Sequence, residues 1–187
     1  YLISADYPKG RLPDEEMHAI IDKPAYWAFC WASGQVLAKH ILDNPDIVRG
    51  KKILDFGSGS GVVAIAAMKA GAKQVIACDI DQDALISCEE NARLNNVTLT
   101  LSDDLFAIQD SDIDLLIAAD VLYDRENLSF LDTFFEFAPE VLLADSRIKD
   151  FRHSKYHHID KIESFTVPDL DELDEFRWVN LYSGSTA

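Results

Sequence analysis

The stretch Ile53-Leu54-Asp55-Phe56-Gly57-Ser58-Gly59-Ser60-Gly61 carries the decisive pattern of this chain. Its first half is a short apolar run, as in a buried strand. Its second half has glycine at every other position, and a small-residue helical pattern follows at 62–70, closed by Gly71. A strand, a glycine turn and a helix let the backbone bend sharply and come close to a ligand. The backbone of Gly57, Ser58 and Gly59 is therefore the first candidate ligand surface. The dinucleotide fingerprint GxGxxG is not met: the third glycine comes one residue early, and Val62 stands where that pattern has glycine. The phosphate loop GxxxxGK, followed by Ser or Thr, is absent.

Downstream, apolar runs at 74–78, 97–101, 113–119 and 141–144 are interleaved with helical patterns at 83–94 and 127–137. Such alternation predicts a parallel sheet with helices on both faces. Positions 163–167 and 176–182 read as two more strands joined by the short acidic stretch 168–175, hence an antiparallel hairpin. The expected class is α/β: a doubly wound seven-stranded sheet, mostly parallel, with a C-terminal antiparallel hairpin. Upstream, 14–21 reads as a helix start, and Tyr26, Trp27, Phe29 and Trp31 form an aromatic segment. Ser33 is placed to cap a helix that runs to about Leu42 and is stopped by Pro45.

Acids recur at the carboxyl ends of the expected strands, where open α/β sheets bind ligands. Asp55 closes the first strand, and it either contacts the ligand or fixes the glycine loop through backbone N–H groups. Asp79 follows the second strand, about twenty residues after the glycine loop, where a carboxylate accepts from both hydroxyls of an unphosphorylated ribose. Ile80 is placed to lie on an adenine face. Asp104, which directly precedes the apolar Leu105, is preferred over Asp103 as acceptor for the adenine amine. Asp120 ends the fourth strand.

Composition bounds the function. The 187 residues fit a single domain spanning 1–187, and a formal net charge of −16 argues against nucleic acid as partner. A cationic partner suits that charge. No apolar run approaches the ~20 residues of a membrane span, and no leader pattern is visible. Cys30, Cys78 and Cys88 include no CxxC pair and read as free thiols in a reducing, cytoplasmic compartment. His153 and His157 stand four apart, as on one helix face, with no third ligand, so no metal is expected.

These motifs resemble those of the class I, seven-strand methyltransferases that use S-adenosylmethionine on a Rossmann-like sheet. Residues 53–61 are similar to their first motif, Ala77-Cys78-Asp79-Ile80-Asp81 to their second, and Asp103-Asp104-Leu105 to their third. A nearer resemblance, over roughly 25–152, is to the electron-transfer-flavoprotein β-subunit lysine methyltransferase family. It rests on Tyr26-Trp27, Trp31, Gly34, Leu37, Leu42-Asp43-Asn44-Pro45, the glycine loop and Asp120-Val121-Leu122-Tyr123-Asp124. Weaker similarity extends to ribosomal-protein methyltransferases.

The resemblance implies a set of roles. S-adenosylmethionine is the cofactor and S-adenosylhomocysteine the product. Trp31, Asp55, Gly57, Ser58, Gly59, Asp79, Ile80, Asp104, Leu105 and Asp120 hold the cofactor, and the segment 1–45 helps close its pocket. Asp120 and Tyr123 are the catalytic candidates. Asp120 orients the target amine and Tyr123 bounds the amine pocket. A lysine acceptor must lose a proton from an ammonium of reference pKa ~10.4 before it attacks. A protein carrying an exposed lysine is the implied partner. The alternatives are another amine acceptor on the same fold and an adenosine-binding protein without chemistry.

Overall fold

The computed structural model describes residues 1–4, 24–109, 112–148, 151–169 and 174–186. Helix α1 (Ala32–Asp43) precedes strand β1 (Lys52–Phe56), helix α2 (Val62–Lys69), strand β2 (Gln74–Cys78) and helix α3 (Gln82–Leu94). Strands β3 (Thr100–Ser102) and β4 (Leu115–Ala119), helix α4 (Phe130–Phe137) and strands β5 (Glu140–Asp145), β6 (Tyr156–Glu163) and β7 (Trp178–Ser185) follow. They form one seven-stranded sheet in the order β3-β2-β1-β4-β5-β7-β6. The first five strands run parallel; β7 enters antiparallel to β5, and β6 pairs antiparallel with β7.

Adjacent residues on one strand feed opposite cores. Ile53 packs with Leu37, Ile41 and Ala64 beneath α1 and α2, whereas Leu54 packs with Leu116, Leu143 and Phe134 beneath α4. Burial on both faces explains the near-continuous apolar strands. Truncating Leu54, which is fully buried, to Ala removes contacts worth about 2–5 kcal/mol.

The strand order reverses between β1 and β4. Chains leaving these two strands diverge to opposite sides and leave a crevice beyond the strand ends. The glycine loop follows β1 and Asp120 follows β4, so the topology brings the two together.

Several expectations need correction. Strand β3 is shorter than 97–101, and α4 starts at Phe130 after a 3-10 turn over Arg125–Ser129. The sixth strand is Tyr156–Glu163, not 163–167; instead Val167 exchanges backbone hydrogen bonds with Cys30, each at 2.8 Å. His157 therefore lies on a strand and shares no helix face with His153. Ser33 does not cap α1, whose N-cap is Trp31; it lies inside the first turn and bonds elsewhere. The helix expected at 14–21 lies outside the described residues. All three cysteines are free thiols, Cys78 and Cys88 buried and Cys30 partly so.

Candidate active site

The glycine loop is built on β2. Gly57 and Ser58 both donate their N–H to the Cys78 carbonyl, at 2.9 and 3.1 Å. Gly57 has φ +69°, and a Cβ there would meet Val121 Cγ1 at 2.6 Å. The loop after β4 thus packs directly on the loop after β1. Two of the expected acids hold this loop. Asp55 Oδ2 accepts from Ala64 N–H in the first turn of α2 at 3.0 Å, which fixes the helix that follows the loop. Burial pushes its carboxyl up to about 8. Asp79 Oδ2 accepts from Gly59 N–H at 2.8 Å, and its Oδ1 from Asp81 N–H at 3.0 Å. Burial also raises the Asp79 pKa, against the pull of those two amides.

What remains open in this cleft fits an adenosine compound that brings positive charge. Asp79 uses two of the roughly four acceptor positions of a carboxylate. The Ser58 hydroxyl is buried without an oxygen or nitrogen partner among the described residues; only the Cys88 thiol, a weak donor, faces it. Ile80 is 90 % exposed, an uncovered apolar side chain at the rim. The side-chain charges acting on Asp55 and Asp79 are other carboxylates, with no lysine or arginine among the described residues opposing them. That suits a sulfonium and an ammonium far better than a pyrophosphate.

The third strand end is more open. Asp104 Oδ1 accepts from Phe106 N–H at 2.8 Å, while Asp103 Oδ2 accepts from Gln82 Nε2 at 3.0 Å. The Leu105 side chain is buried in the core, which leaves its backbone to meet a ligand. Phe106 is exposed beside it, an apolar surface that the sequence reading passed over.

Asp120 is the hub of the opposite wall. Its φ is +53°, and its N–H donates to the Ala144 carbonyl at 3.0 Å. Its Oδ2 accepts from Ser33 N–H at 3.0 Å; its Oδ1 accepts from Ser33 Oγ at 2.5 Å and Ser146 Oγ at 3.1 Å. Desolvation raises the pKa of Asp120, opposed by those hydrogen bonds and by Arg147. The carboxylate anchors the start of α1 and retains about one acceptor position. Tyr123 is more than half exposed, with its ring 5.5 Å from that of Tyr26. Tyr26 also meets Trp31 at 6.1 Å and accepts the Trp31 indole N–H on its carbonyl at 2.8 Å. Arg147 lies over Phe176 at 4.2 Å and over Trp31 at 6.0 Å. Gln35 bonds the carbonyls of Cys30 and Phe165 and ties α1 to the segment after β6. Tyr26 and Ser33 precede β1, Ser146 and Arg147 follow β5 and Phe176 precedes β7, so no local motif announces that they meet.

Two hollows lie away from this cleft. One of about 450 Å³ is lined by Phe151, Arg152, His153 and Tyr182, and one of about 320 Å³ by Lys51, Asp114 and Glu140. The second is at the amino ends of the parallel strands, opposite the acids described above.

The sequence profile described as ribosomal protein L11 methyltransferase (PrmA) matches residues 37–125. The chain is 34% identical over 157 residues to the electron transfer flavoprotein beta subunit lysine methyltransferase of Rattus norvegicus, covering 80% of this chain and 62% of that protein. It is 38% identical over 152 residues to the Homo sapiens protein of the same name, covering 76% and 57%. The chain thus spans about three fifths of the length of these relatives. Among solved structures, the ribosomal protein L11 methylase of Lactobacillus delbrueckii subsp. bulgaricus superposes with a TM-score of 0.61 at 25% identity, covering 81% of this chain and 78% of that one. An RNA methyltransferase of Salinibacter ruber, in complex with S-adenosyl-L-homocysteine, shares the fold with a TM-score of 0.58 at 19% identity, covering 80% and 89%. The chain thus shares the seven-strand fold of S-adenosylmethionine-dependent methyltransferases and is similar in sequence to the electron-transfer-flavoprotein β-subunit lysine methyltransferases and, over 37–125, to the ribosomal protein L11 methyltransferases.

Proposed function

We propose that this protein transfers a methyl group from S-adenosylmethionine to a lysine side chain of a protein substrate. The observation that carries this reading is the cleft between the glycine loop and Asp120, whose inner acids are Asp55, Asp79 and Asp120 and whose rim leaves Ile80 and Tyr123 uncovered. Asp79 would accept the ribose hydroxyls, Ile80 and Phe106 would cover adenine, and Asp104 would take the adenine amine. The backbone of Gly57, Ser58 and Gly59 would lie along the rest of the cofactor. When bound, S-adenosylmethionine supplies a methyl group on a sulfonium, which a neutral amine takes as the carbon–sulfur bond breaks and its electron pair stays on sulfur.

The protein's share is alignment, and the proton that the target ammonium loses before attack leaves to solvent at the open rim. Asp120, fixed by Ser33 and Ser146, has one acceptor position left to hold the target ammonium. Tyr26 and Tyr123 form an aromatic lip through which a long aliphatic side chain reaches it. The net charge of −16 favours a basic protein surface over RNA as the acceptor. The names of the relatives point to the electron transfer flavoprotein β subunit as first substrate to try.

The test is incubation of that subunit with methyl-labelled S-adenosylmethionine and the protein, followed by peptide mapping. Label on a lysine supports the reading. Label confined to small amines or RNA refutes the protein acceptor, and no label on any acceptor refutes methyl transfer. Asp120→Ala is expected to abolish label while the cofactor still binds; full activity in that variant removes Asp120 from the chemistry.

A further inference from the structure

We propose that Asp145, at the carboxyl end of β5, is a positioning residue of the transfer site: its buried carboxylate folds the turn 145–148 so that Ser146 and Arg147 are delivered onto Asp120. The inference rests on the methyl-transfer reading above. Asp145 is only 2 % exposed. Its Oδ1 accepts two converging amides, Arg147 N–H at 2.8 Å and Ile148 N–H at 2.7 Å. The Leu122 amide, inside the loop that carries Asp120 and Tyr123, lowers the pKa of the same carboxylate against the effect of burial.

The consequence falls on Asp120. β4 and β5 pair in register at Ala119 and Ala144, so Asp120 and Asp145 follow side by side. The turn that Asp145 folds presents Ser146 Oγ to Asp120 Oδ1 at 3.1 Å and sets the Arg147 guanidinium close enough to favour the Asp120 carboxylate. Arg147 is held from the other side by Phe176 and Trp31. Without the turn, Asp120 keeps Ser33 but loses its second hydroxyl and its nearby cation. Asp145 Oδ2 is buried without a hydrogen-bond partner among the described residues. The positioning function therefore resides in Oδ1.

Native-state amide exchange and steady-state kinetics on Asp145→Ala, Asp145→Asn, Ser146→Ala and the double variant Asp145→Ala/Ser146→Ala test this. In Asp145→Ala the Arg147 and Ile148 amides should exchange at least ten-fold faster. Its kcat should fall about ten-fold or more, with cofactor Kd within three-fold of wild type. Adding Ser146→Ala to it should lower kcat less than two-fold further, because both changes break the same route to Asp120. Asp145→Asn retains an acceptor oxygen for the turn and should keep both amides protected and kcat within three-fold, which also serves if the alanine variant does not fold. Unchanged amide exchange in Asp145→Ala, a fully multiplicative double variant, or a ten-fold kcat loss in Asp145→Asn with both amides still protected overturns the proposal. A wild-type protein that transfers no methyl group defeats the functional reading instead, and the exchange data still report on the turn.

Discussion

Replacing Gly57 with Ala tests how tightly the two walls of the cleft are joined. Two separable terms oppose the substitution. An L-residue at φ +69° costs about 1–2 kcal/mol in backbone strain. The new Cβ lies 2.6 Å from Val121 Cγ1, a contact that forces Val121 or its loop to move, and overpacking of a buried position costs about 1–3 kcal/mol. Together they predict a loss of about 2–5 kcal/mol, or roughly 4–20 °C in Tm for a chain of this size. Gly50 supplies the control: its φ is +71°, yet nothing lies within 4 Å of a Cβ there, so Gly50→Ala should lose only the strain. Thermal and urea unfolding of the two variants gives the difference, which isolates the clash. Val121→Ala added to Gly57→Ala should restore about 1–2 kcal/mol relative to the sum of the single changes. If Gly57→Ala and Gly50→Ala are equally destabilised, the close approach of the β1 and β4 loops is not a constraint and the reasoning fails.

Other consequences concern the acids and the rim. Asp55 is raised to about 8 and Asp145 to about 6, above the range of an unfolded aspartate. From the unfolded value of about 3.9 up to these raised values the folded state binds more protons than the unfolded chain, so their contribution to stability should be full below about pH 4 and decline as pH rises towards 8. Asp55→Asn should flatten most of that slope in pH-dependent urea unfolding; an unchanged slope removes Asp55 as its source. Asp79→Ala should weaken S-adenosylmethionine binding about 100-fold, from the loss of two charge-assisted hydrogen bonds of about 1.5 kcal/mol each, as read by calorimetry. Ile80→Ala should leave stability within about 0.5 kcal/mol, since the side chain is 90 % exposed, yet weaken cofactor binding three- to ten-fold. Equal cofactor affinity in that variant places adenine elsewhere.

Legibility in the sequence followed burial. Strands covered on both faces, such as Leu115–Ala119, present continuous apolar runs, and their bounds came within two residues. Tyr156–Glu163 does not: it is an edge strand with His157, His158, Asp160 and Lys161 exposed, so no alternation marks it. The acids at strand ends were visible because each interrupts an apolar run. Asp145 escapes the same rule because the apolar run expected at 141–144 stops one residue short of it. Ser33 meets Asp120 from one segment and Ser146 and Arg147 from another, and the left-handed backbone of Asp120 has no local signature. The Asp120-to-Tyr123 element was legible by resemblance, whereas the hydrogen bonds of its acid to α1 emerge only in three dimensions.

The most direct test of the central claim is a calorimetric titration of S-adenosylmethionine into the purified protein, with NAD and ATP as controls. Binding of the methyl donor and of S-adenosylhomocysteine is expected, with no measurable binding of NAD or ATP. Binding of NAD or ATP in place of the methyl donor, or no binding of the donor and its product, contradicts the claim.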